Sequence, residues 1–300
     1  VQSDFARDGF AVITQYLSTD ELAAGQAGLT DLFPTADEFH DDVDPARNKR
    51  FRDEFAGITN FPFDSVELSL LAVHPRLITL AEELLGTDDL RVYSIEAWAK
   101  YTGAAAYEQE HHRDYLGHSV VVPDPNRPPT QVEMFVYLSD VTPEHAPPSF
   151  VALEHTRHLP SLPNWLPRDG VRDDGEHPTW VSHDLWPELY AREVSGTGPA
   201  GTVVAYRIET FHRATNLTAP RGARYTLHVN FRRADADWIN RRAWPLSGDS
   251  AAWDAFVARA SVRQLVVFGF PPPGHPYWTD ETLAGTALRY PGFDPNPWRG

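Results

Sequence analysis

Apolar and polar positions change rhythm once along the chain. Over the first third the apolar residues recur at helical spacing, Leu22, Leu29 and Leu32 following a start signal at Ser18-Thr19-Asp20-Glu21. That tetrapeptide has the capping-box form, with Ser18 as N-cap and Glu21 placed to reach back to it. A second helix is predicted over Pro75 to Leu85, since proline is tolerated in a first turn and Gly86 supplies a stop. Between them, His40 to Phe55 is charged and polar and reads as a surface excursion.

From about residue 90 the pattern becomes short strands separated by turn signals. Leu90–Lys100, Val132–Leu138, Gly201–Ile208 and Tyr225–Phe231 are rich in β-branched and aromatic residues. Strands spread over the middle of the chain, without alternating helices, predict a mainly β fold with flanking helices: an antiparallel sandwich or jelly roll. The stretch from Leu159 to Arg192 is long, irregular and rich in Pro, Asp and Trp, the signature of a binding loop or lid. After Arg259 an apolar run gives way to a Pro- and Gly-rich tail, expected to wrap the domain as an extended segment. No repeat or sharp composition shift divides the chain, so one domain over 1–300 is expected. Its helical part covers about 1–88, its jelly-roll core about 90–235 with a lid at 159–192, and its C-terminal extension 236–300.

Composition removes several classes of chemistry. There is no cysteine, which excludes disulfides, iron–sulfur ligation, zinc–thiolate sites and cysteine nucleophiles; any metal must sit on His and carboxylate ligands. Acidic residues outnumber basic ones 42 to 26, a net charge of -16 that repels phosphate backbones and anionic membranes. No uninterrupted apolar stretch is long enough to span a bilayer, and Val1–Phe10 lacks a signal-peptide pattern, so a soluble, cytoplasmic protein is expected. Nine Trp, 16 Phe and 11 Tyr are enough to fill a large core or line an aromatic pocket.

Among 13 His residues the informative element is His112-Arg113-Asp114. Residues two apart on a strand face the same side, so this imidazole and carboxylate can grip one ion together. His111 makes no such pair, because Arg113 stands two residues on. A third ligand should come from a distant strand, and His212, just past the strand ending near Ile208, is the candidate. Two His and one carboxylate on one face of an octahedron leave three open positions, which suits an Fe(II) site that binds a co-substrate and O₂. Arg224, twelve residues after His212 and at the head of a strand, can offer a planar fork to a co-substrate carboxylate; Arg221 is its rival.

His112-x-Asp114, the distal His212 and the following Arg224 resemble the phytanoyl-CoA dioxygenase family of Fe(II)/2-oxoglutarate-dependent oxygenases. Further similar pieces are Asp8 to Val12, His74 to Leu77, Leu84-Leu85-Gly86 and Tyr137 to Glu144. Phe150 to His155 stands where the family usually has a Pro-Gly-Ser-His turn, and Ala146-Pro147-Pro148 where Asn-Gly is common; both departures fall in a connecting turn. The resemblance implies a double-stranded β-helix with the metal in its mouth. It implies Fe(II), 2-oxoglutarate and O₂ as the reacting set, succinate and CO₂ as co-products, and hydroxylation of a small organic molecule as the default outcome. It also implies that Arg224 anchors 2-oxoglutarate, with Phe135, Gln109 and Lys100 beside it. Related halogenases lack the carboxylate, so Asp114 argues against halogenation. Desaturation and ring formation use the same oxidant.

Trp98, Trp165, Trp180 and Trp186 read first as packing, although substrate-touching side chains are expected from this set, Trp165 and Trp180 foremost, and from Tyr115. His118, His145, His155, His158, His177 and His183 read as loop or surface residues, and His228 as core or as a neighbour of the ligands. Nothing in the sequence forms a basic patch for coenzyme A. Two other readings share these residues: a jelly-roll binding protein without catalysis, and a metal-dependent hydrolase. Succinate release that requires both Fe(II) and 2-oxoglutarate separates the three.

Overall fold

A computed structural model describes residues 1–53, 55, 57–114, 118–119, 127–159, 181–239 and 250–299. Among them nine strands form two antiparallel sheets: β1 (Phe10–Ile13), β2 (Thr59–Asn60), β3 (Leu90–Tyr101), β4 (Gln131–Tyr137), β5 (Ser149–Val151), β6 (Val194–Ser195), β7 (Val203–Tyr206), β8 (Phe211–Arg213) and β9 (Ala223–Arg233). The larger sheet runs β1-β7-β4-β9-β3-β2 and the smaller β6-β5-β8. Two antiparallel sheets connected by crossovers, with neighbours far apart in sequence, make a jelly roll.

Alternation along the long strands decides what faces the interior. In β9, Tyr225, Leu227, Val229 and Phe231 turn outward into the main hydrophobic cluster, which they share with Leu68, Leu77 and Leu84 of the helices Val66–Ala72 and Pro75–Leu85. The intervening Arg224, Thr226, His228 and Asn230 line an internal cavity. β3 and β4 repeat the pattern in register, with Lys100 opposite Arg224 and Phe135 opposite His228. The barrel therefore has an apolar outer face covered by helices and a polar inner face. A second apolar cluster of Phe10, Phe150, Val204 and Tyr206, with Phe10 and Phe150 rings stacked at 5.0 Å, joins the two sheets on one side.

The two predicted helix starts and stops are found. Ser18 and Glu21 form the reciprocal capping box, and Gly86 closes Pro75–Leu85 in the left-handed region with its N–H on the Glu82 carbonyl. Two expectations are corrected. The segment from His40 to Phe55 is not merely a surface excursion: it carries the helix Pro45–Lys49, and Asn48 and Phe51 are buried. The tail is not extended but holds helices at Ala251–Arg259, Val262–Val266 and Asp280–Arg289. Ser250, Ser261 and Thr279 cap them by accepting backbone N–H groups, a local signal that outweighs the Pro and Gly content. Among the described residues, no helix is long and apolar enough to cross a membrane.

The extension is part of the core. Phe256 is fully buried, packed against Phe61 at 5.1 Å and Phe268 at 5.3 Å, and Val92 of β3 donates its N–H to the Val267 carbonyl. Phe256→Ala should therefore destabilise the whole fold by about 3–5 kcal/mol, read as a shift of the denaturant midpoint. A tail that merely wrapped the surface would shift it far less.

Candidate metal centre and its cavity

His112 and His212 are brought together by a two-residue ladder. His112 donates its N–H to the His212 carbonyl at 3.0 Å and His212 returns the bond at 3.1 Å, so the short segment at 111–112 extends the smaller sheet beside β8. Directly opposed residues of such a pair project to one face, and the two rings lie 4.6 Å apart. Asp114 completes the group. Its Oδ1 lies 3.6 Å from His112 Nε2 and its Oδ2 lies 3.2 Å from His212 Nε2. Arg113, between the ligand candidates, turns the other way onto the Phe211 ring at 4.2 Å, as strand alternation requires.

Both imidazoles are fixed from behind. His112 Nδ1 donates to the Glu110 carbonyl at 2.8 Å and His212 Nδ1 to the Thr210 carbonyl at 3.1 Å. Since each Nδ1 carries the donated proton, both Nε2 lone pairs are left for the centre, the arrangement metal-binding histidines use. Burial and the neighbouring His212 push His112 down to about 3. Burial would lower His212 too, but the Asp114 carboxylate outweighs it and holds that histidine above its ordinary value. Asp114 is held well below the carboxylate range because His212 and His112 outweigh its own burial. The Tyr206 hydroxyl donates to Asp114 Oδ2 at 3.4 Å.

A second ring of contacts ties this segment to Glu193 and to Arg213 of β8. His111, fully buried, bonds Glu193 at 2.8 Å, and Glu193 accepts from Arg213 Nε at 2.5 Å. Burial raises Glu193, yet the bonds from His111 and Arg213 win and hold it at about 2. A depressed carboxylate adds stability that is complete above its ordinary value of 4.5 and is lost as pH falls towards 2. Glu193→Gln should therefore cost about 1–3 kcal/mol at neutral pH. The difference from the parent should fade as melting is measured at progressively lower pH; a constant gap would show that Glu193 acts through packing.

The cavity is open and about 260 Å³ in volume, a size that suits a small organic molecule. Arg224 and Lys100 stand on its wall, both buried. Arg224 donates to the Ala146 carbonyl, and the Lys100 ammonium lies 4.4 Å from the Tyr107 ring centre. Arg221 is half exposed and pairs with Asp37 and Asp41 on the surface, away from the cavity. Phe135 and Gln109 also line it, and Gln109 Oε1 accepts the Ala214 N–H at 3.3 Å. His228 stacks on Trp98 at 4.4 Å, both on the wall, so neither is plain core packing. Tyr115, Trp165 and Trp180, expected at the substrate, lie outside the described residues, as does most of the 159–192 stretch.

The sequence reading missed Ser94, His118, Glu133 and Asn230. His118 is not a surface residue: it lines the cavity and its Nδ1 bonds Glu133 Oε1 at 2.8 Å. Asp114, His118 and Glu133 also offer ligand atoms within 4.8 Å of one another. For Asn230 the signal was the strict alternation of Tyr225–Phe231, and for Glu133 its place between Val132 and Met134; both positions look solvent-facing in the sequence but line the cavity.

Residues 5–224 match the family model described as phytanoyl-CoA dioxygenase (PhyH). No curated protein sequence matches at a significant level. Solved structures share the fold, three of them as follows. The epimerase SnoN in complex with Fe3+, alpha ketoglutarate and nogalamycin RO aligns at 20% identity over 78% of this chain and 82% of its own, TM-score 0.54. HygX from Streptomyces hygroscopicus with nickel, 2-oxoglutarate and hygromycin B aligns at 17% identity over 78% and 86%, TM-score 0.53. EctD from S. alaskensis with 2-oxoglutarate and 5-hydroxyectoine aligns at 20% identity over 78% and 76%, TM-score 0.51.

Proposed function

The chain belongs to the phytanoyl-CoA dioxygenase family of Fe(II)- and 2-oxoglutarate-dependent oxygenases, and from that premise we propose that it hydroxylates a small organic molecule at iron held by His112, Asp114 and His212. The observation that carries the ligand assignment is the convergence of two Nε2 atoms and one carboxylate within 4.8 Å, both Nδ1 atoms being committed to backbone carbonyls. This donor set fits ferrous iron, which accepts imidazole and carboxylate and needs open positions. Bound iron, with 2-oxoglutarate and O₂, supplies the oxidising power, and succinate and CO₂ leave as co-products.

The protein's own contribution is ligation, orientation and exclusion of water. The Glu110 and Thr210 carbonyls hold the rings in the tautomer that binds, and Tyr206 steadies Asp114. Arg224 takes the far carboxylate of 2-oxoglutarate, with Lys100 adding positive charge on the adjacent strand. Phe135 and Gln109 form the wall beside it. Tyr115, Trp165 and Trp180 are assigned to the substrate side.

The test is succinate formation that requires Fe(II), 2-oxoglutarate and an added small molecule, with mass analysis of the product. Gain of one oxygen atom supports hydroxylation. Loss of two hydrogens, or an isomeric product, moves the reaction to desaturation or epimerisation on the same centre. Absence of any succinate, with or without substrate, returns the protein to the binding or hydrolytic readings.

A further inference from the structure

One cross-strand row of the inner wall carries polar atoms that the fold itself does not use. Ser94 on β3, Asn230 on β9 and Glu133 on β4 stand opposite one another in register. They are 4%, 5% and 2% exposed, and all three line the cavity. Among the described residues neither the Ser94 hydroxyl nor the Asn230 amide makes a hydrogen bond. Glu133 differs: its Oε1 accepts from the Tyr93 hydroxyl, from His118 Nδ1 at 2.8 Å and from Gln131 at 3.5 Å, while Oε2 accepts from nothing. Among the described residues its only ion-pair partner is His118, and neither Lys nor Arg pairs with it. The row ends at Tyr206, opposite Glu133 on β7, whose hydroxyl reaches Asp114.

Buried polar groups are normally satisfied, and a row of three left open towards one cavity implies a ligand that completes them. We propose that Ser94, Asn230 and Glu133 bind a protonated primary amine of the substrate. An ammonium has three N–H donors, one positive charge and no acceptor. The row presents three acceptors, Ser94 Oγ, Asn230 Oδ1 and Glu133 Oε2, and one negative charge. Glu96, one row along β3, adds a second carboxylate to the same wall; its Oε2 accepts from Trp98 Nε1 at 2.9 Å. Arg224 and Lys100 stand at the opposite end, six positions along β9 from Asn230, roughly 20 Å at strand rise. The cavity is thus polarised, cationic where 2-oxoglutarate is anchored and anionic beyond the metal. A metal ion is the competing occupant, since Asp114, His118 and Glu133 offer ligand atoms within 4.8 Å of one another, and it would give no preference for amines over their hydroxyl counterparts. This assignment rests on the oxygenase reading only in placing the amine next to the reacting carbon.

The test uses ligand-observed NMR on the protein loaded with nickel and 2-oxoglutarate. The probes are small primary amines of alkyl, cycloalkyl and amino-acid type, each matched with its hydroxyl and N-acetyl counterparts. The expected result is binding of amines in preference to both counterparts, weakened about ten- to a hundredfold in Glu133→Gln. Should Glu133→Gln fail to fold by circular dichroism, Ser94→Ala serves instead. It removes a hydroxyl that bonds nothing among the described residues, and should keep the parent's melting point while losing about fivefold in amine affinity. Equal binding of amines and N-acetyl counterparts, no amine binding, or indifference of both variants overturns the subsite. Anaerobic uptake of Fe(II) and 2-oxoglutarate, read by calorimetric titration, is measured in parallel. If it is absent while amines still bind, the oxygenase reading fails and the amine subsite stands; if it is present without amine selectivity, the reverse holds.

Discussion

Asp114→Ala should abolish substrate turnover and weaken Fe(II) binding by more than about a hundredfold, the upper range for changes that merely surround a ligand. Asp114 is the one anion among the three donors, and it approaches both imidazoles, at 3.6 and 3.2 Å. Its loss leaves two neutral rings on a face built for three ligands. The metal-free protein should respond in a pH-dependent way. His212 is held above its ordinary value because Asp114 outweighs burial. That pairing adds stability fully present below the unfolded value near 6.5 and lost as pH rises through the folded value. Without Asp114 burial, the largest cause, is opposed only by the Thr210 carbonyl and Glu133, so the value falls, and parent and variant should differ most in mildly acidic solution, the gap narrowing as pH rises. Calorimetric titration with Fe(II) under anaerobic conditions reads the first effect, and melting against pH reads the second. Retained iron affinity and succinate formation would move the carboxylate ligand elsewhere, with Glu133 the nearest alternative.

Arg224→Ala should raise the KM for 2-oxoglutarate by about ten- to a hundredfold and leave the KM for substrate nearly unchanged. The guanidinium is 5% exposed on the cavity wall, where a carboxylate meets its fork away from water and the interaction is strong. Arg224→Lys should recover part of the loss, since an ammonium keeps the charge and loses the two-pronged geometry. Arg221→Ala is the control. Arg221 is half exposed and occupied by Asp37 and Asp41, so its removal should not alter either KM. Equal change in both constants for Arg224→Ala would show that it shapes the pocket rather than anchoring the co-substrate.

Local patterns carried well from sequence to structure. The Ser18 capping box and the Pro75–Leu85 helix with its Gly86 stop depend on residues within one turn, and they are present as read. The tail is helical despite its Pro and Gly content because Ser250, Ser261 and Thr279 cap its helices locally. Glu133, Asn230 and Ser94 escaped notice because alternation has two interpretations. Apolar residues at Val132, Met134 and Val136 show which face packs on the helices. They do not show that a second sheet turns the other face into a buried interior.

The chain's own order of residues determined the candidate ligand types, the His112-x-Asp114 spacing, the exclusion of thiol chemistry and the apolar faces of the long strands, because each depends on near neighbours. Only tertiary pairing decided that His212 sits directly across from His112, that Arg224 and not Arg221 enters the cavity, and that Ser94, Asn230 and Glu133 share one row. Register between strands a hundred residues apart is set by backbone hydrogen bonds and shared burial, and a slip of one residue would turn every one of these side chains to the opposite face.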